Sequence, residues 1–243
     1  MNLQYVIPCR LNSKRLPGKA LVQLAGKSII QRVYEQVQQV KGASPIIATD
    51  SDEIAKACSK FNATIVRTSS APRNGTERIA EVAKQLKWSD TTRVINIQGD
   101  EPLINPQIVE DLALCMREKN SNMATVVTDF HSNEEYFDQN TAKVLVNASS
   151  QAISFSRRGP DCEHFEEIRH FCFRHIGLYG YSIDTLNKIM ESSPCSWEIH
   201  ERLEQLRALW LNIPIDIHHT DKKTYRGVDT LDDLKYLEDE IAS

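Results

Sequence analysis

Through its first 130 residues the chain alternates short apolar runs with stretches of helical period, and this alternation restricts the fold more than any other feature. Residues 4–7 (QYVI) suit a first strand. Ser28 can cap a helix over 29–40, where Ile29, Ile30, Val33, Val37 and Val40 recur at helical spacing. Residues 46–48 form a second strand. Ser51 can cap the next helix, which runs through Ile54, Ala55, Cys58 and Phe61. Residues 63–66 give a third strand. The stretch 76–86 predicts a helix capped by Thr76, with Ile79, Val82, Ala83 and Leu86 on one face. A fourth strand over 94–97, a helix over 106–118 with Pro106 in its first turn, and a strand over 123–128 complete the series. Such a βαβα rhythm predicts an α/β fold with a largely parallel sheet covered by helices on both faces. Ligands in sheets of this kind sit beyond the carboxyl ends of the strands.

Near residue 130 the rhythm changes. Residues 144–146 and 153–155 suggest a β pair, and 174–182 (RHIGLYGYS) a long strand. Residues 157–173 are polar and irregular around Gly159–Pro160, which predicts a mobile loop. A helix over 200–211, a strand over 213–217 and a closing helix over 230–241 follow. There is no repeat, low-complexity tract or linker, so one domain over 1–243 is the simplest organisation. Its core would be 1–130 with 225–243, and 131–224 would form a smaller β-rich part.

A chain of 243 residues is long enough to bury its own core without metal or disulfide support. Its 29 basic and 33 acidic residues leave a net charge of −4, which argues against a general nucleic-acid binder. No run of about 18 apolar residues is present, so no membrane span is expected. The opening MNLQYVIP lacks the basic and apolar regions of a signal peptide. Cys9, Cys58, Cys115, Cys162, Cys172 and Cys195 are scattered without a CxxC pair, which predicts reduced thiols in a cytoplasmic protein and no structural zinc.

Against that acidic background, the loop VIPCRLNSKRLPGK (6–19) gathers Arg10, Lys14, Arg15 and Lys19 with no acidic residue. Guanidiniums bind phosphate oxygens bidentately, lysine supplies a point charge, and a Pro–Gly turn adds backbone N–H donors. The loop therefore suits a polyphosphate, although an exposed, solvated loop has the same composition. Gly26–Lys27–Ser28 looks like the end of a P-loop, but Leu21 stands where that motif needs glycine, which leaves a turn and a helix cap. In QGDEP (98–102), Asp100 follows the fourth strand, and Gly99 allows close backbone approach. A carboxylate at a strand end suits Mg²⁺, which takes one or two carboxylates plus phosphate oxygens and water. Asp229 in GVDT is either a second such carboxylate or a helix cap. In NGTERIAE (74–81), Arg78 is a cation in a first helical turn, where it opposes the helix dipole.

Taken together, PCRLNSKRLPGK, NGTERIAE, NIQGDEPLI, RHIGLYGY, LEQLRALW and GVDT resemble the CMP-KDO synthetases, the 3-deoxy-manno-octulosonate cytidylyltransferases, over nearly the whole chain. The resemblance implies a Rossmann-like nucleotidyltransferase fold, in which the smaller β-rich part serves sugar binding and dimerisation. It implies a homodimer that uses Mg²⁺ and joins CTP to 3-deoxy-D-manno-octulosonate (KDO), releasing pyrophosphate, for lipopolysaccharide biosynthesis in the cytoplasm. By the same resemblance Arg10, Arg15 and Lys19 hold the triphosphate. Pro8, Asn74, Gly75, Arg78 and Gln98 belong to the nucleotide site, and Asp100 and Asp229 bind metal. Lys19, Arg10, Asp100 and Asp229 are then the catalytic set. Arg157, His175, Tyr179, Glu204 and Gln205 surround the sugar acid; His175, on a strand beside aromatics, suits orienting the sugar better than taking its proton, and a core role stays open. Arg157 suits the sugar carboxylate, and Glu204 and Gln205 would lie on the 200–211 helix.

Three departures from the family pattern stand out. Cys9 replaces an alanine, Asn74 replaces a serine, and RGPDCEHFEEIRHFCF (158–173) replaces an Ile–Pro segment and a longer loop. A cytidylyltransferase for amino-KDO or another nonulosonic acid stays open on this last ground. So does a non-catalytic nucleotide-binding protein, although such a protein has no use for two metal carboxylates beside Lys19.

Overall fold

The computed structural model of the chain describes residues 2–11, 13 and 15–242. In chain order the elements are β1 (Leu3–Cys9), β2 (Gln23–Leu24), β3 (Lys27–Ser28), α1 (Ile29–Gln38), β4 (Ile46–Thr49), α2 (Asp52–Ser59), β5 (Thr64–Arg67), α3 (Gly75–Gln85), β6 (Arg93–Asn96) and α4 (Pro106–Glu118). They continue with β7 (Met123–Thr128), α5 (Asn133–Phe137), β8 (Lys143–Val146), β9 (Ala152–Ser156), β10 (Cys172–Ser182), α6 (Ile183–Glu191), α7 (Ser196–Glu201), α8 (Leu206–Trp210), β11 (Asp216–His219) and α9 (Leu231–Ala242). The class is the expected one: mixed α/β on a mostly parallel sheet. The chain divides into two compact units, Met1–Glu110 with Lys222–Ser243, and Asp111–Asp221.

In the first unit the strands lie in the order β6-β1-β4-β5, all parallel. Val6, Ile7, Ile47, Val94 and Ile95 are wholly buried, as strands covered on both faces require. Ser28 and Ser51 cap α1 and α2 by accepting from Gln31 N and Ile54 N. Two expectations change. The cap of α3 is Asn74, whose side chain accepts from Glu77 N at 2.8 Å, so Thr76 lies inside the helix. The first strand also continues through Pro8 to Cys9. Val6 O accepts from Ile97 N, so the backbone polar groups of residues 6 and 8 face β6. The N–H that proline lacks therefore falls where the β6 ladder ends, and pairing with β4 runs on to Cys9↔Thr49. The short β2–β3 hairpin was not legible in the sequence.

In the second unit β11 is parallel to β7, β10 is antiparallel to β7, β8 pairs with β10, and β9 with β8. The expected β pair is thus β8 and β9. Three expectations fail here. The helix over 200–211 is two pieces, α7 and α8, separated by Arg202 in the left-handed region (φ 58). Arg207 grips Glu198 with contacts of 2.5 and 2.7 Å, both residues being buried. Nine residues of straight helix would hold them about 13.5 Å apart along the axis, so the ion pair requires the break. Glu204 and Gln205 accordingly sit in a turn ahead of α8. The strand over 213–217 begins only at Asp216, because Pro214 brings no N–H to a ladder. Helix α6, capped by Ser182, was not anticipated.

Segment 157–173 is irregular, as expected, but it is anchored rather than loose. Ile168 and Cys172 pack with Phe130 and Tyr136. Tyr136 Oη donates to Pro160 O at 2.5 Å, and Phe165 N donates to Asn133 Oδ1 at 3.0 Å. Among the described residues no helix is long and apolar enough to cross a membrane.

Candidate active site

The basic loop after β1 turns at Gly18, which adopts φ 67, and Gly18 N donates to Leu11 O at 3.2 Å. A short 3-10 turn over Lys19–Leu21 follows and directs Lys19 toward the carboxyl end of the parallel sheet. Its ammonium donates to Asp100 Oδ2 at 2.5 Å, to Asp229 Oδ1 at 3.0 Å and to Val228 O at 3.1 Å. Burial opposes the charge, yet the two carboxylates outweigh it and raise the Lys19 pKa. Arg15 reaches the other oxygen of Asp229 at 2.6 Å. Of the expected residues of the first unit, Asp100 and Asp229 therefore meet around the Lys19 ammonium, with Arg15 on the far oxygen of Asp229, whereas Arg10 does not join them.

Local chain chemistry explains why they meet. A Cβ on Gly99 would lie 2.9 Å from Pro8 O, a contact no side-chain rotation relieves, so glycine allows the loop after β6 to lie against β1. Val228 N donates to Asp100 O at 2.8 Å, which clamps the 227–229 turn to that loop. Asp229 is not the cap of α9. Thr230 Oγ1 accepts from Asp233 N at 3.2 Å, and Asp233 Oδ2 accepts from Thr230 N at 2.9 Å, a reciprocal capping box. The Asp229 carboxylate is thereby left to Lys19 and Arg15.

Arg78, the cation that opposes the α3 dipole, is only 3 % exposed. Its guanidinium donates to Thr68 Oγ1 and to Ser69 O (3.3 Å) and pairs with Asp50 at 3.3 Å. Asp50 was missed in the sequence although it follows β4 as Asp100 follows β6. Arg10 is exposed, and its Nη1 donates to Arg73 O at 3.2 Å, beside the Asn74 cap. Gly75 packs on Pro8, where a Cβ would come within 3.0 Å of the ring. Gln98 is half-buried, with Nε2 3.5 Å from Asn96 Oδ1. Lys14 lies outside the described residues. Cys9, buried at the end of β1, has its thiol pKa raised by burial, so it is a packing group rather than a nucleophile. All six cysteines are free thiols, as expected.

The second unit holds the remaining expected residues. His175 and Tyr179 pack ring to ring at 5.2 Å, Phe155 lies 5.2 Å from His175, and Tyr181 stacks on Tyr179 at 5.7 Å. Burial, then the charge of Arg174, lowers the His175 pKa to about 3, so the ring is neutral and a poor base. Burial, Tyr181 and the nearby Glu204 charge push the Tyr179 phenol well up. Glu204 is exposed. Gln205 is 8 % exposed, and its Nε2 has no hydrogen-bond partner among the described residues. Arg157 donates to Gln139 O (3.2 Å) and Asn140 O (3.0 Å). A cavity of about 700 Å³ in this unit, lined by Asp129, His131, Phe165, Phe173 and His219 among others, contains none of the expected residues.

Among the described residues no group of three or more His, Cys, Asp or Glu gathers closely enough to hold a metal by protein ligands alone. Asp100 and Asp229 fit a hard cation of another kind. They already share one cationic centre, Lys19 Nζ, and two carboxylates suffice for Mg²⁺ when phosphate and water complete its shell.

Residues 5–217 match the family model described as cytidylyltransferase. A 3-deoxy-manno-octulosonate cytidylyltransferase of Francisella philomiragia is 41% identical over 242 residues, covering 97% of this chain and 96% of that protein. The enzyme of the same description from Histophilus somni (strain 2336) is 38% identical over 248 residues, with the same coverage. Among solved structures, a CMP:2-keto-3-deoxy-manno-octonic acid synthetase complexed with CTP superposes with a TM-score of 0.91 at 34% identity, covering 100% of this chain and 99% of that one.

Proposed function

This chain belongs to the cytidylyltransferase family, and from that premise we propose that it activates KDO with CTP, giving CMP-KDO and pyrophosphate. The observation that carries the proposal is the convergence of Lys19, Asp100 and Asp229 at the ends of β1 and β6. Relatives described as acting on this sugar acid, similar over 97% of the chain, supply the substrate.

In this reading Arg10, Arg15 and Lys19 neutralise the triphosphate, and the exposed guanidiniums are free to turn to it. Pro8, Asn74, Gly75 and Gln98 form the base pocket, and Arg78, tied to Thr68 and Asp50, stiffens the start of α3 beneath it. Asp100 and Asp229 would hold Mg²⁺, which would supply charge neutralisation at the triphosphate and a lowered pKa for the sugar hydroxyl that attacks the α-phosphorus. Lys19 faces the phosphates as a point charge. Nucleotidyl transfer of this kind rests on positioning and charge neutralisation, so it does not require a strong general base. His175 orients the sugar acid as a neutral ring, and the buried, unpartnered amide of Gln205 is a donor awaiting a sugar oxygen. Arg157 takes the sugar carboxylate. The enzyme acts as a cytoplasmic homodimer in lipopolysaccharide biosynthesis.

Pyrophosphate release with Mg²⁺ and CTP, with KDO and with a panel of other sugar acids, tests the proposal. KDO-dependent release is expected. Release with amino-KDO or another nonulosonic acid alone would move the substrate, and the replaced 158–173 segment would then mark the specificity change. Silence across the panel, with CTP still bound, would reduce the protein to a nucleotide binder.

A further inference from the structure

Thr125 lies in the middle of β7, wholly buried, and nothing in the family motifs marks it. Its hydroxyl oxygen lies near Leu178 O at 2.7 Å, Ile176 O at 3.3 Å and His175 Nε2 at 3.0 Å, with the Tyr179 phenol also beside it. A hydroxyl has one proton to give. Two oxygens 2.7 Å apart need a proton between them, so that proton goes to Leu178 O. With its proton so used, Thr125 must accept in the contact to His175 Nε2. The imidazole therefore carries its proton on Nε2 and leaves Nδ1 as a lone-pair acceptor.

The backbone gives this arrangement a second purpose. Pairing of β10 with β7 slips between Ile176 and Tyr179, so that Ile176 faces Val126 while Tyr179 faces Thr125. The two residues in the slip, Gly177 and Leu178, leave the ladder, and Thr125 Oγ1 meets the carbonyls on both sides of the irregularity. Without the two-residue slip Tyr179 would face Met123; with it Tyr179 faces Thr125, two positions along β7 from the His175↔Val127 pair. One hydroxyl thus holds the ring tautomer of His175 and the backbone that places Tyr179 beside it.

We propose that Thr125 is a positioning residue for the sugar acid, fixing His175 as the Nε2–H tautomer with Nδ1 as acceptor and holding the bulge that presents Tyr179. The inference rests on the reading that His175 and Tyr179 face the sugar. The ligand chemistry it specifies is a hydroxyl donor, directed at Nδ1, rather than a carboxylate.

The test compares full-length wild type, Thr125→Val, which keeps the shape and removes the hydroxyl, and Thr125→Ser, which keeps the hydroxyl. Long-range ¹H–¹⁵N spectra of the imidazoles give the tautomer of His175 without turnover. Wild type and Thr125→Ser should show Nε2–H, and Thr125→Val a mixed or reversed tautomer. In steady-state assays Thr125→Val should raise KM for KDO about tenfold, the scale of one lost hydrogen bond, with KM for CTP unchanged and Thr125→Ser close to wild type. An Nδ1–H tautomer in wild type would overturn the proposal even if Thr125→Val failed to fold. A preserved Nε2–H tautomer in a folded Thr125→Val would do the same. A lost tautomer with unchanged KDO kinetics would instead remove His175 from the sugar site while leaving CTP-dependent chemistry intact, a failure distinct from that of the cytidylyltransferase reading.

Discussion

At the scale of single residues, the site of the first unit is a problem of charge. Asp100 and Asp229 are held together by Lys19, and removing the ammonium leaves two half-buried carboxylates facing each other. Lys19→Met should therefore lower turnover by about 10²–10³, measured as specific activity on protein whose folding is checked by circular dichroism. Activity within a few-fold of wild type would mean that the lysine merely seals the apo site. His175 poses the opposite problem, a group kept neutral. Its pKa in the fold is about 3 against an ordinary 6.5, so the unfolded chain binds more protons between those values. Stability must then fall as pH drops through that window. Between pH 7 and pH 5 the cost is about 1–2 kcal/mol. Urea unfolding at the two pH values should show the loss in wild type and a correspondingly smaller one in His175→Asn. Equal losses would show that the imidazole protonates freely in the fold.

At the scale of elements, two segments differ from expectation because distant side chains decide them. The broken helix over 196–210 follows from a buried ion pair between residues nine apart, and helical periodicity is blind to such a pair. Segment 157–173 is polar and carries a Gly–Pro dipeptide, which resembles a mobile loop, yet it is tied at Pro160, Phe165, Ile168 and Cys172. The buried ammonium of Lys143 adds a further tie, donating to Asp138 O, Thr141 O and Arg157 O at 2.6–2.9 Å. Gly159 exposes how tight the packing is, because a Cβ there would come within 2.0 Å of Tyr136 Oη. Gly159→Ala should force Tyr136 off Pro160 and cost about 1–3 kcal/mol, read as a lower urea midpoint with an unchanged slope. An unaltered midpoint would return the segment to the status of a loose loop.

At the scale of the whole molecule, every expected nucleotide residue falls in the first unit and every expected sugar residue in the second. Nucleotide binding should then act on stability by mass action. With Mg²⁺ and CTP at a hundred times Kd the gain is about 2.7 kcal/mol, and for a chain of this size the melting temperature should rise by about 5–10 °C. Differential scanning calorimetry with CTP, and with ATP and GTP as controls, checks both the gain and the base preference. An equal rise with all three nucleotides would leave the triphosphate loop standing but remove Pro8, Asn74, Gly75 and Gln98 from base recognition.

What the sequence determined by itself was local or periodic. Apolar runs and helical spacing placed β1, β4, β5, β6 and β7, and short polar residues ahead of apolar stripes placed the starts of α1 and α2, because hydrogen-bonding geometry and one-sided burial act over a few residues. Arg10, Arg15 and Lys19 were legible because like charges gathered after a strand need a counter-charge, a ligand or water to balance them, and Asp100 because a carboxylate beside Gly99 follows a strand end. Only the tertiary structure decided whether Asp229 capped a helix or faced a lysine 210 residues away, since both roles suit an aspartate in a turn. It alone explained Arg78, whose unfavourable place on the helix dipole is offset by Thr68, Ser69 and Asp50. It alone drew Thr125 to His175, through a two-residue slip in pairing that leaves no trace in hydrophobic pattern. Contacts between residues far apart in the chain depend on register and bulges, and these are settled by packing, not by any short stretch of residues.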